Sequence, residues 1–136
     1  MLVQLGLVDL ISAIQSKIEA NTGKRCYDAV PHNAESPFYY AEVVSKRPAH
    51  TKTMWRDIFT VYIHAIAKPG KSSQEIYLLI QNLEEALTED IELPDGFELL
   101  MQTNNGIQII KTDETNEKHA VLAYEFTVCY GFKTKD

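Results

Sequence analysis

Apolar and polar positions along the chain follow two periods in turn, and their order lays out the elements. Between residues 3 and 20, Leu7, Ile11, Ile14 and Ile18 recur at helical spacing and predict an amphipathic helix. Asn21-Thr22-Gly23 ends it, with Gly23 suited to a left-handed cap. Arg25 to Val30 is a short candidate strand, and residues 31–37 (PHNAESP) form a loop bracketed by prolines. Phe38 to Ser45 reads as a strand from its aromatic and β-branched content. Tyr39, Ala41 and Val43 share one of its faces and Phe38, Tyr40, Glu42 and Val44 the other; the pattern leaves open which is buried. Residues 46–56 (KRPAHTKTMWR) read as a polar loop.

The middle of the chain carries the sharpest pattern. From Ile58 to Ile66 the residues alternate, placing Phe59, Val61, Ile63 and Ala65 on one face of a strand. A Lys68-Pro69-Gly70-Lys71 turn follows, then Ile76, Leu79, Ile80, Leu83 and Leu87 as the stripe of a second helix. Ser72 and Glu75 have the spacing of a capping box at its start. Glu89 to Gly96 is an acidic connection. Phe97 to Gln102 predicts a strand, Asn105-Gly106 a hairpin turn, and Ile107 to Lys111 the returning strand. Residues 112–118 form an exposed turn before a long last strand, Val121 to Phe132. The expected fold is α+β: a mainly antiparallel sheet with two amphipathic helices packed on one face, in a single domain spanning residues 1–136.

Composition narrows the function classes. The chain has 45% hydrophobic and 24% charged residues, ordinary for a soluble globular protein. Its net charge of -6 argues against a general nucleic-acid coat, which needs a basic surplus. Against that sign, the 46–56 stretch holds Lys46, Arg47, Lys52 and Arg56 and no acid. Cys26 and Cys129 are far apart, without CxxC spacing, and read as two buried free thiols. The N-terminal stretch has no basic start before its apolar residues and polar interruptions within them. It fits neither a secretory signal nor a membrane span, so the expected place of synthesis and action is the cytoplasm of the producing cell.

Catalytic and metal-binding patterns are weak. His32, His50, His64 and His119 sit in different predicted elements with no HxxxH or HExxH spacing. His64 falls beside Tyr62, on the strand face opposite Val61 and Ile63, and reads as a surface or interface residue. Cys129 lies mid-strand, where thiols are usually inert. Residues 69–72 lack the phosphate-loop frame, and Glu84, Glu85, Glu89, Asp90 and Glu92 read as a solvated helix end rather than a metal site. The expectation is a protein that is not an enzyme, with no cofactor and no metal. Phe38, Tyr39, Tyr40, Tyr62, Tyr124, Phe126, Tyr130 and Phe132 all fall on strands, so aromatic residues occupy both sheet faces. A second aromatic face favours association with another chain.

The layout resembles the tail-completion proteins of long-tailed bacteriophages, the tail-terminator and tail-to-head joining group. The resemblance rests on the N-terminal helix and the CYDAVP segment (Cys26 to Pro31), then the SPFYY strand (Ser36 to Tyr40). It continues through Phe59-Thr60-Val61-Tyr62-Ile63, the helix from Ile76 to Leu87 and the closing strand Val121 to Phe132. It implies a structural virion protein at the head-proximal end of the tail, assembled as a ring, typically of six copies. Its partners would be further copies of itself, the tail tube protein and the head connector, with DNA passing through the lumen without sequence-specific binding. Lys46, Arg47, Lys52, Arg56, Tyr62 and His64 are the candidate interface residues. The alternative from another class is a small cytoplasmic α+β domain, monomeric or dimeric, holding a ligand or peptide in a pocket lined by the same tyrosines.

Overall fold

The computed structural model describes residues 1–133. The chain order is helix α1 (Leu7–Thr22), strands β1 (Cys26–Tyr27), β2 (Phe38–Pro48) and β3 (Met54–Ile66), helix α2 (Gln74–Ala86), and strands β4 (Glu98–Thr112) and β5 (Lys118–Phe132). The five strands form one sheet in the order β1-β2-β3-β5-β4. Only β1 runs parallel to its neighbour, β2; the other pairings are antiparallel. The α+β architecture and the largely antiparallel sheet are those expected from the sequence.

Alternation on the two long central strands puts Phe59, Val61, Ile63 and Ala65 of β3 beside Leu122, Tyr124, Phe126 and Val128 of β5, all buried. Ile76, Leu79, Ile80 and Leu83 of α2 and Leu10, Ile14 and Ile18 of α1 join them in one core cluster. Both helices therefore cover the same sheet face. Each fully buried large aliphatic contributes about 1.5–3 kcal/mol by leaving water. Tyr39 also faces the helices, and its buried hydroxyl donates to the Leu79 carbonyl at 2.7 Å. The helix face of β2 is thus Tyr39 and Ala41, which answers what its alternation left open.

Four expectations need correction. First, α1 begins at Leu7, after an extended Gly6, rather than at residue 3. Its inward stripe is Leu10, Ile14 and Ile18, with Leu10 fully buried and Leu7 47% exposed, and Leu5 of the extended lead-in joins the same core cluster. Gly23, at φ 72°, does form the left-handed cap.

Second, the 46–56 stretch is not a loop. β2 and β3 pair as far as Pro48 and Asp57, so only residues 49–53 turn. Third, α2 starts without a capping box. Ser73 holds the cap position with no side-chain bond, Ser72 Oγ accepts from the Gln74 N–H at 3.1 Å, and Glu75 reaches back to the Lys68 N–H at 3.5 Å.

Fourth, Asn105-Gly106 does not reverse the chain. β4 runs unbroken from Glu98 to Thr112 against Lys118 to Cys129 of β5. The register shifts between Asn104 and Gly106, where Gly106 takes φ 95° and donates its N–H to Asn104 Oδ1 at 2.7 Å. A sequence suited to positive φ serves a bulge as well as a turn. The long, apolar β5 decides between them by offering a continuous partner.

Candidate interaction surfaces

The sheet face turned away from the helices carries a connected polar cluster. His64, on β3, is buried, and its Nε2 lies 2.6 Å from Glu42 Oε1 on β2. Its Nδ1 lies 2.7 Å from His119 Nε2 on β5. Glu42 accepts the Nε2–H, so a neutral His64 presents Nδ1 as acceptor and His119 Nε2–H donates. Tyr40 stacks flat on His64, with centroids 4.0 Å apart and planes 6° apart. Burial, then the neighbouring His64 and Lys111, holds His119 below the usual histidine range. Burial, then Glu42, raises the Tyr40 phenol. Tyr62, half-buried, lies on the same face two residues from His64.

Further along this face, Arg47 of β2 reaches over β3 to Glu125 of β5 at 3.3 Å. Glu125 also accepts from Asn105 of β4 at 2.7 Å. Side chains of β2, β5 and β4 are thereby tied across β3, and the exposed Arg47 has an acidic partner within its own subunit.

The structure divides the six residues singled out from sequence. Tyr62 and His64 lie together on the open face, and Arg47 joins that face through Glu125. Lys46 points to the helix side. Its Nζ sits 2.9 Å from Gln4 Oε1, 3.7 Å from the buried Asp57 carboxylate and 5.7 Å from the centre of the Phe59 ring. Arg56 braces the hairpin turn, its Nε donating to the Ala49 carbonyl at 2.8 Å. Lys52 stands exposed in the turn. The stretch is therefore not one free basic patch, because a strand sends Lys46 and Arg47 to opposite faces.

Sequence reading missed Glu42, Tyr40 and His119 as partners of His64. They are 22, 24 and 55 residues away along the chain, and only strand register joins them. Both cysteines are free and buried. Burial, with Glu19 and Asp28 nearby, pushes the Cys26 thiol up to about 12, so it stays protonated. Glu89 and Glu92 pair with Lys17 at 3.5 and 3.8 Å. Among the described residues no group of three or more His, Cys, Asp or Glu is placed to hold a metal ion. No helix among them is long and apolar enough to cross a membrane.

The described residues form a two-helix layer on one face of a single sheet, with the other face uncovered and set with aromatic and charged groups. The particular family follows from comparison. The family model described as "Putative tail termination protein" matches residues 1–136, and the chain belongs to this family of phage tail structural proteins. A chain in a solved structure described as "Virion of native gene transfer agent (GTA) particle" has the same fold. It is 18% identical, with a TM-score of 0.68 over 90% of this chain and 96% of that one. A comparison with curated proteins finds no match.

Proposed function

We propose that this protein caps the head-proximal end of a phage tail tube and joins it to the head connector as a hexameric ring, with DNA passing through the lumen. The observation that carries the reading is the family match over the whole chain. The likeness to a chain of a gene transfer agent virion supports a place in the particle. In this role the subunit is a non-enzymatic part of the virion, made in the bacterial cytoplasm and needing no cofactor. Its partners are further copies of itself, the tube protein and the connector.

The open sheet face and the β2–β3 hairpin are the surfaces offered to those partners. Tyr62 and His64 belong to the first. Lys52 and Arg56 belong to the second, where Lys52 is the exposed cation of the turn. Lys46 and Arg47 hold the hairpin's root in shape through Asp57 and Glu125.

The test is electron microscopy of lysates from a phage or prophage lacking this gene, beside a complemented control. Filled heads beside unattached tails are the expected result, and overlong tails would mark termination specifically. Intact infectious virions would overturn the proposal.

A further inference from the structure

We infer that copies of this chain associate edge to edge, the outer edge of β4 in one copy pairing with the outer edge of β2 in the next. This rests on the ring reading above and names the contact that would build the ring.

The sheet ends in two strands with unpaired backbone. β4 is one end of the strand order, and its outer side faces no other strand along Glu98–Thr112. At the other end β1 pairs with β2 only at Tyr39 and Tyr40, which leaves β2 open from Ala41 to Pro48 among the described residues. Unpaired edges are templates for strand addition, and natural proteins usually guard them with charge. The β4 edge is not guarded so. Residues 99–110 (LLMQTNNGIQII) contain no charged side chain, and Met101, Ile107, Ile109 and Ile110 are exposed by 61%, 46%, 49% and 42%. The open stretch of β2 carries Glu42, Lys46, Arg47 and Pro48, but Lys46 and Arg47 are paired within the subunit to Asp57 and Glu125, and Val44 stands exposed at the bulge.

A second copy is the occupant that satisfies both edges. The pairings β2–β3, β3–β5 and β5–β4 are each antiparallel, so β4 runs opposite to β2 within one subunit. Rotation about an axis along the strands preserves direction, so β4 meets the next copy's β2 antiparallel, the more stable pairing. Such a contact is heterologous, and where its rotation closes it makes a ring in which β4 and the open length of β2 are both paired. A two-fold pair of β4 strands would leave every β2 edge open. Bulges near Leu100, Asn105 and Gln108 on β4, and near Val44 on β2, restrict pairing to a partner of matching irregularity.

The test places a photo-crosslinking benzoylphenylalanine at Gln108 in the full chain, irradiated both as purified protein and in assembled tails. The expected adduct has twice the 15.4 kDa mass of the chain, with the partner peptide mapping to 41–48. Adducts mapping to 98–112 of the second copy, or solely to a different virion protein, would overturn the inference. Native mass spectrometry and microscopy score the ring separately. A ring without these adducts sinks the edge pairing and leaves the proposed function standing, whereas tails with no ring sink both. As a second probe, Ile109→Lys should weaken association at least about tenfold by burying an unpaired charge, with the circular dichroism of the subunit unchanged. Undiminished association would count against the β4 edge.

Discussion

His64 and His119, 55 residues apart in the chain, bring their ring nitrogens to 2.7 Å across β3 and β5. The geometry assigns one hydrogen between them and fixes a direction of donation, because Glu42 holds the other side of His64. The pair is surrounded by Tyr40 from β2, by Lys111 from β4 and by Asp113 and Glu117 from the following turn.

This arrangement sets a pH dependence. His119 in the fold binds its proton less readily than in the unfolded chain, mainly through burial. Its contribution to stability is present above the unfolded value of 6.5 and is lost as the pH falls below it, toward the lower folded value. The melting temperature should therefore drop between about pH 7.5 and about pH 5.5. His119→Asn should flatten that drop. An unchanged slope in the variant would show that other groups set it.

Asp57 is buried, and its Oδ2 has no hydrogen-bond partner, only the Lys46 ammonium at 3.7 Å. Lys46→Met removes the compensating charge and should cost about 1–3 kcal/mol, below the full cost of breaking a buried pair because Lys46 is partly solvated. Lys46→Met combined with Asp57→Asn should recover much of it. Denaturant unfolding of the four proteins gives the coupling directly.

Removing the Tyr39 hydroxyl tests the tie between sheet and α2. Tyr39→Phe loses the 2.7 Å bond to the Leu79 carbonyl, and the expected loss is about 0.5–1.5 kcal/mol. Leu83→Ala, which empties a fully buried site on the same helix, should cost about 2–5 kcal/mol. Chemical denaturation should rank the two in that order.

Gly106 separates a bulge from an ordinary strand position. At φ 95° a Cβ has open space around it but the wrong backbone conformation, so Gly106→Ala should cost about 1–2 kcal/mol. Gly70→Ala, at a turn glycine without positive φ, should be close to neutral. Equal effects would place β4 in a different register from the one described.

Local pattern by itself determined the two core helices, the alternating core strand Ile58–Ile66, the left-handed cap at Gly23 and the α+β class. Each rests on side chains within a few residues of one another, so periodicity is enough. The strands Phe38–Ser45 and Val121–Phe132 were legible in the same way, and tertiary structure decided what local pattern left open. Asn105-Gly106 is locally compatible with a hairpin and with a bulge, and the partner strand β5 selects the bulge. The basic stretch from Lys46 to Arg56 looks like a patch in sequence, yet pairing with β3 sends Lys46 to Asp57 and Arg47 to Glu125 on opposite faces. His64 had no visible partner because Glu42 and His119 reach it through the register of three strands. Register is fixed by how whole faces bury together, a property of the assembled sheet that no short stretch of chain contains.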